Sequence, residues 1–448
     1  MAVAPPTTLA GRLAQLGPGL IISAAIVGSG ELIVIPKLGA AMGFTLLWFV
    51  ILGCVLKVFV QVELARHAIA HQETTLVSLD TIPGPRWRVS WVLWAWMLMY
   101  AGTVLQVGGI IGGITMICGM LGLNWPPWVW LVLTTGSGIA LLVSGRYGPV
   151  ERYSTAMVAI FTLSAMVAVV ALQWTEFHVT AAQWREGLSL HMPDSFTIAF
   201  AAFGVTGVGA SELIYYPYWC LEKGYGRSVG PPPPGGAWSP QRPAWTAGAL
   251  GWLRVMRLDA FVSMIIYTFA TIAFYVLGAA ILHQTARDVS DNDLIGRLAD
   301  MYLRSLGEWS YVLFLVGALA VLYSTFFVAT ASNARLLVDV GGLLGVPAAA
   351  APTAEARRKA VQAACVLLPL ASATAYVVWP QPVTLVLIGA VGQGIMLPLL
   401  AVAAVYFRHK RLPPDLAPST GWTVALWISA GLMTLVGLYQ LLRTIGAI

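Results

Sequence analysis

The stretches Gly28-Ser29-Gly30-Glu31-Leu32-Ile33-Val34-Ile35-Pro36 and Gly209-Ala210-Ser211-Glu212-Leu213-Ile214-Tyr215-Tyr216-Pro217 repeat one pattern, each inside a long apolar segment. Glycine, glutamate, leucine, isoleucine and proline recur at the same five of the nine positions. A carboxylate at bilayer depth is costly and usually functional, and the small residues beside it allow a helix to unwind. Two such interrupted segments at matching places in two halves of a chain indicate the central site of a transporter.

The composition is that of a membrane protein. Of 448 residues, 58% are hydrophobic and only 10% are charged, whereas soluble domains average about 25% charged residues. The apolar runs are long and unalternating, which favours helices over the short alternating strands of a barrel. The net charge of +6 comes from basic residues scattered through loops, so no nucleic-acid partner is expected. The chain is therefore predicted to be an all-α, polytopic protein whose partner is the lipid bilayer.

Apolar runs of about 20 residues mark membrane-spanning helices. Eleven are predicted, near residues 17–42, 45–66, 89–120, 126–145, 153–173, 195–221, 258–282, 309–338, 360–379, 382–407 and 422–442. The longest interruption, 222–257, contains four consecutive prolines and is predicted to be a mobile loop. A second loop, 283–308, is acidic and is expected to hold a short surface helix.

Lysine and arginine counts predict the orientation. With a cytoplasmic N-terminus, 18 of the 25 basic residues lie inside, five outside, and Lys37 and Lys57 within spans. The chain is thus expected in the plasma (inner) membrane with its C-terminus outside. It is interpreted as a single transmembrane domain, 1–448, made of two inverted repeats, 17–173 and 195–407, and an additional helix, 422–442.

Several stretches resemble the NRAMP family of divalent-metal transporters. Residues 17–66 resemble the family's first two helices without a gap, 201–216 its sixth, 257–283 its seventh, 317–331 its eighth and 397–407 the end of its tenth. The resemblance covers most of the chain. It implies a LeuT-type inverted repeat of five plus five helices with an eleventh helix, and a secondary transporter, such as a symporter, rather than an enzyme.

The metal-binding motifs of the family are replaced in this sequence. Where the family has Asp-Pro-Gly-Asn in its first helix, this chain has Gly28 to Glu31. Where the sixth helix has Met-Pro-His, it has Ser211, Glu212 and Leu213. The third-helix acids that the family uses for protons correspond to Gln106 and Gly109. The tenth-helix glutamine corresponds to Met396, with Gln393 one turn earlier.

Without thioether or imidazole, a site loses its preference for transition metals. The remaining donors are hard oxygens, which suit Mg²⁺ or Ca²⁺ and also an ammonium group. Glu31 and Glu212 are the predicted metal ligands, with the carbonyls of Val208 and Ala25 as further donors. The complete predicted substrate site comprises Gly28, Ser29, Gly30, Glu31, Lys57, Val208, Gly209, Ala210, Ser211, Glu212 and Gln393.

Lys57 leaves alternatives open. It lies near the middle of the second span, where an unpaired lysine is costly, and it is expected to pair with Glu31 or Glu212. That pair is either part of a substrate site or purely structural. The substrate is accordingly a hard cation, or an amine or amino-acid-like molecule with Lys57 as carboxylate partner. A non-transporting membrane sensor or interaction protein is the third possibility. No cofactor is expected, and the sequence has no P-loop for ATP.

Overall fold

The structure is a computed structural model dominated by long helices. It describes residues 4–28, 30–122, 125–143, 147–190, 200, 203–204, 206–234, 239–283, 296, 299, 303, 307–347, 349 and 353–446. Within these residues, eight helices are long and apolar enough to cross a membrane, and two shorter apolar helices cover the predicted fourth and fifth spans.

The described residues of the first half of the chain form nine helices. They are α1 Leu9–Leu13, α2 Pro18–Ile26, α3 Ile35–Met42, α4 Leu47–His71, α5 Thr75–Asp80, α6 Trp91–Met120, α7 Pro127–Val143, α8 Tyr147–Ala171 and α9 Ala181–Gly187. A π-helical turn, Gly30–Val34, joins α2 to α3, so the first predicted span is interrupted. Two short antiparallel strands, β1 Arg86–Trp87 and β2 Val89–Ser90, precede α6.

The second half contains six helices in the part described. They are α10 Ala210–Lys223, α11 Arg242–Leu277, α12 Glu308–Leu343, α13 Ala354–Val378, α14 Pro382–Tyr406 and α15 Thr420–Thr444. π-Helical turns extend α11 to Leu282 and α14 to Arg411. The core lies where α14 packs on α6 and α15, and where α11 packs on α4.

The prediction of a loop over 222–257 is wrong at both of its ends, which are helical. The structure shows α10 continuing to Lys223 and α11 beginning at Arg242, so only the segment around the prolines lies between them. The arginines of 242–257 made this segment look like a loop, but Trp245, Trp252 and Met256 are buried. An amphipathic helix that extends beyond the bilayer has this pattern. The expected surface helix in 283–308 lies almost entirely outside the described residues.

One carboxylate joins the beginning of α2 to α10 and α11. Asp259, on α11, accepts hydrogen bonds from the backbone N–H groups of Gly17 (2.9 Å) and Gly19 (2.6 Å) and from the Tyr216 hydroxyl (3.0 Å). These amides open α2 and have no partner within the helix. A Cβ on Gly19 would lie 2.5 Å from the Asp259 carbonyl oxygen, so glycine permits this approach.

We predict that Asp259→Asn destabilises the protein measurably. The amide would set an NH₂ donor against backbone donors, and each lost hydrogen bond to a charged group costs about 1.5–3 kcal/mol. Asp415→Asn is the control, because Asp415 is exposed where it contacts Arg242, and such pairs contribute about 0–1 kcal/mol. Thermal unfolding in detergent should show a lower midpoint for Asp259→Asn only. Equal shifts would contradict the role assigned to Asp259.

Candidate functional site

The first helix is interrupted directly before Glu31. α2 ends at Ile26, and its C-cap Val27 leaves the helical region with ψ 54°. The Gly28 N–H turns back to the Ile26 carbonyl (2.6 Å), and the i to i+4 pattern resumes when Leu32 N–H reaches the Gly28 carbonyl (2.9 Å). A Cβ on Gly28 would lie 1.9 Å from Thr325 Oγ1, so α12 packs directly against the break.

The second interruption lies just before Glu212. Gly207 has φ +60°, which favours glycine, and Gly209 is the N-cap of α10. Ala210 and Ser211, predicted to be unwound, instead form the first turn of α10. The two repeats therefore differ locally: Glu31 follows its break within a π-helical turn, whereas Glu212 stands in the first turn of a regular helix.

Glu31 connects the two breaks. Its Oε1 accepts hydrogen bonds from the Gly207 N–H (3.2 Å) and from the Thr271 hydroxyl on α11 (3.0 Å). The residue is completely buried, and its Oε2 has no hydrogen-bond partner among the described residues. A buried carboxylate oxygen without a partner is costly, so a proton or a cation would be stabilised there.

Lys57 binds backbone oxygen rather than a carboxylate. Its fully buried ammonium donates to the Thr206 carbonyl (2.8 Å) and to the Phe203 carbonyl, and it lies 4.5 Å from the centre of the Phe203 ring. Across the described chain, neither Glu31 nor Glu212 has an oxygen within 4.0 Å of Lys57 Nζ. The expected lysine–glutamate ion pair is therefore not formed, because the open carbonyls of the second break take the ammonium.

A cavity of about 30 Å³ lies between the two breaks. This volume can hold about one or two water molecules or an ion of similar size. Oxygen-bearing side chains make up half of its lining: Thr103, Gln106, Ser211, Glu212, Tyr215, Thr325 and Gln393. The rest of the lining is Ala25, Ile26, Gly30, Val107, Ile110, Gly207 and Ala329. None of these residues carries sulfur or an imidazole, and the described residues form no cluster of three metal-ligating His, Cys, Asp or Glu side chains.

Two oxygens converge beside Gly209. A Cβ at this position would lie 2.3 Å from Gln393 Oε1 and 2.6 Å from Glu212 Oε2, so both oxygens approach the same point. Oxygens of an amide and a carboxylate repel each other unless a proton or cation lies near them. Tyr215 donates its hydroxyl proton to the other Glu212 oxygen (2.7 Å), which fixes the carboxylate.

Gln393 is held by two further contacts. Its Oε1 accepts from the Ser211 N–H (3.3 Å), and its Nε2 donates to Gln106 Oε1 (2.9 Å). The Gln106 amide thus orients the Gln393 carbonyl oxygen toward Glu212. Met396, which the family resemblance placed at the tenth-helix position, is buried and does not line the cavity.

The structure brings four residues of the predicted substrate site to the cavity wall, Gly30, Ser211, Glu212 and Gln393, and also Ala25, whose carbonyl was a predicted further donor. Gly209 contacts two of these side chains from behind. Gly28, Glu31, Lys57, Val208 and Ala210 are in or beside the breaks but not in the wall, and Ser29 lies outside the described residues.

Sequence reasoning missed Thr103, Thr271 and Thr325 as contacts of the site. Each is one of several hydroxyl residues in an otherwise apolar run, and threonine commonly bonds to its own helix backbone in such positions. Thr325 does so, donating to the Val321 carbonyl (3.0 Å). The sequence carries no signal that separates these threonines from others in the same helices.

The two facing breaks, the buried charges and the oxygen-lined cavity define a broken-helix membrane transporter fold. Residues 19–443 match the family described as natural resistance-associated macrophage protein-like, Nramp. The chain belongs to this family. A comparison with curated proteins gives no match.

Solved structures share the fold at low identity. A manganese transporter from Eremococcus coleocola, bound to an aromatic bis-isothiourea compound, superposes with TM-score 0.68 at 14% identity over 99% of this chain and 90% of that one. MhsT with L-phenylalanine gives 0.58 at 14% over 95% and 97%. MHP1, a nucleobase-cation-symport-1 family transporter, gives 0.55 at 16% over 96% and 91%. The predicted LeuT-type fold is confirmed.

We predict that Gly209→Ala disables the site without unfolding the protein. The added methyl would displace the Gln393 and Glu212 oxygens, and misplacement of a site by about 1 Å can cost on the order of 100-fold in rate. Gly136→Ala on α7 is the matched control, because a Cβ there meets nothing within 4 Å. Substrate flux in proteoliposomes should fall for Gly209→Ala alone. Unchanged flux in Gly209→Ala would show that the Gln393 and Glu212 oxygens are not part of the transport site.

Proposed function

We propose that the protein is a secondary transporter of a hard divalent cation, with Mg²⁺ as the preferred class of substrate. The observation that carries the proposal is the cavity between the two breaks, whose donors in the described chain are all oxygen atoms. Mg²⁺ takes oxygen ligands and keeps several waters when few carboxylates are offered. Transition-metal ions bind most tightly to sulfur and imidazole ligands, and neither ligand lines this cavity.

Glu212 is the proposed principal ligand. It is the carboxylate in the cavity wall, with Tyr215 orienting one oxygen and the other facing Gln393 Oε1. A cation between the carboxylate and amide oxygens would offset their mutual repulsion. Ser211, Thr103 and the Gln106 amide oxygen supply neutral oxygen acceptors for the hydrogens of water retained on the ion.

Glu31 has a second proposed role, as proton carrier and auxiliary ligand. One of its oxygens is fixed by Gly207 and Thr271, and the other has no partner in the described chain. Gln106 and Gly109 cannot cycle a proton. Proton movement, where it accompanies transport, is therefore assigned to Glu31 and Glu212 rather than to α6.

An organic substrate is the second candidate, and the structure of MhsT with L-phenylalanine shows that this fold can hold an amino acid. The cavity volume of about 30 Å³ is too small for such a molecule in this conformation. Lys57, the expected carboxylate partner, is occupied by the Phe203 and Thr206 carbonyls. Both observations favour an ion over an amino acid.

The membrane placement belongs to the same proposal. The excess of basic residues on one side supports a cytoplasmic N-terminus and an outside C-terminus in the plasma or inner membrane. No cofactor and no enzymatic step are part of it. Absence of cation flux in the wild-type protein would favour the third possibility, a non-transporting sensor or interaction protein.

We predict saturable Mg²⁺ uptake by the purified protein in proteoliposomes, with no competition from equimolar Mn²⁺. Glu212→Gln should lower Mg²⁺ uptake by about tenfold or more, because a contact with a charged group contributes on the order of 1.5–3 kcal/mol even when it is only a hydrogen bond. Glu355→Gln, at an exposed carboxylate paired with Lys359, is the control. Uptake of micromolar Mn²⁺ that Glu31→Gln or Glu212→Gln abolishes would contradict the selectivity.

We predict that coupling to protons depends on the two central carboxylates. With an imposed pH gradient, wild type and Glu355→Gln should show gradient-driven flux, whereas Glu31→Gln and Glu212→Gln should not respond to the gradient. A glutamine preserves size but cannot bind and release a proton. Gradient-driven flux that survives both substitutions would assign coupling elsewhere. Gradient-independent flux in wild type would indicate a facilitative carrier.

A further inference from the structure

A second cavity, of about 680 Å³, lies away from the site between α7, α10, α12 and α13. It shares no lining residue with the central cavity. The helix ends that bound it are the last turns of α7 and α10 and the first turn of α13. All of these ends fall on the side predicted to be cytoplasmic. The cavity therefore opens near one membrane surface.

The cavity has a charged end and an apolar end. The charged end holds Arg335, Arg357 and Arg358. The apolar end is formed by Leu141, Leu142, Leu221, Phe327, Val361 and Cys365. On α13, Val361 and Cys365 follow Arg357 and Arg358 by one and two turns, so polarity falls from the membrane surface toward its interior.

The three arginines differ in their remaining capacity to bind an anion. Arg335 is engaged in a two-point contact with Glu222, at 2.8 Å for both pairs, and also donates to the Ala331 carbonyl. Arg357 contacts Asp339 with one nitrogen (2.6 Å). Arg358 is exposed and forms no ion pair with the other described residues. A guanidinium carries five donors in a fork that suits phosphate.

Asp339 offsets the charge of Arg357, as Glu222 offsets that of Arg335, so the net positive charge at this end is that of Arg358. The Oδ2 of Asp339 already accepts from the hydroxyls of Thr74 (2.9 Å) and Tyr218 (2.6 Å), and its Oδ1 from Arg357. This buried carboxylate holds Arg357 in position at the cavity mouth. The remaining Arg357 donors and the Arg358 guanidinium line the cavity and are available to an anion in it.

We propose that this cavity binds one anionic phospholipid, with its phosphate on Arg357 and Arg358 and an acyl chain along the apolar end. The phosphate diester of a lipid would pair with the two guanidinium groups, and its acyl chain would cover the apolar wall. Free phosphate would pair with the guanidinium groups but leave the apolar wall uncovered. Basic pockets between membrane helices bind anionic lipid head groups in this way. The lipid would bridge α10, which carries Glu212, and α13.

The test is native mass spectrometry of the full-length protein in detergent, titrated with phosphatidylglycerol or phosphatidylcholine. We expect tighter binding of phosphatidylglycerol, weakened at least about threefold by Arg358→Gln, since a charge-assisted contact is lost. Lys359→Gln is the matched control, because it removes the neighbouring positive charge outside the cavity lining. Equal loss in both variants would indicate diffuse surface charge and overturn the proposal.

A steric pair of variants tests the apolar end. Val361→Trp should obstruct the apolar end of the cavity and reduce phosphatidylglycerol binding, whereas Val378→Trp, at the exposed far end of α13, should not. Millimolar inorganic phosphate should fail to displace the lipid. Displacement by phosphate, or binding insensitive to Val361→Trp, would show a simple anion site instead. Thermal midpoints of all variants keep misfolding separate from loss of binding.

Discussion

The backbone N–H and C=O groups of the second break are buried, so water cannot hydrogen-bond to them. The arrangement of the charged residues around the cavity depends on how these backbone groups are paired. An unpaired peptide group in such surroundings costs several kcal/mol. Lys57 supplies a donor to the Phe203 and Thr206 carbonyls, and Glu31 supplies an acceptor to the Gly207 N–H. Both residues come from the first half of the chain. The unwound segment is thus held by one positive side chain from α4 and one negative side chain from the first break.

This arrangement gives the two repeated glutamates different surroundings. Glu31 reaches across to the opposite break and leaves one oxygen without a partner in the described chain. Glu212 lies in the first turn of α10, where the helix dipole favours a carboxylate, and it faces the cavity with Tyr215 fixing its orientation. A shared motif has therefore produced one carboxylate that supports the backbone and one that meets the cavity. The local difference is a π-helical turn after the first break and a regular helix after the second.

Much of the fold could be predicted from the sequence because long apolar runs have few alternatives in a bilayer. The start of α11 could not, since its first four turns are amphipathic and contain arginines that are also typical of a loop. The partner of Lys57 was predicted incorrectly because charge pairing is visible in a sequence and open carbonyls are not. Gln393 was predicted to belong to the site. That Gln393 rather than Met396 lines the cavity depends on which face of α14 meets Ser211 and Gln106. Such rotational choices are set by packing between distant helices.

The Asp259 cluster has a consequence for how the beginning of α2 can move. One carboxylate gathers two backbone amides and a hydroxyl from two other elements, while Ser23 and Ser263 add a contact one turn further along (2.9 Å). Displacing α2 by a fraction of an ångström would strain both amide bonds to Asp259 at once, whereas the Tyr216 bond joins α10 to α11 and would stay intact. The beginning of α2 is therefore fixed against a carboxylate that α10 already holds in place through Tyr216. Moving this end of α2 away from α11 requires the loss of both amide bonds to one charged group, which costs more free energy than the loss of a single contact.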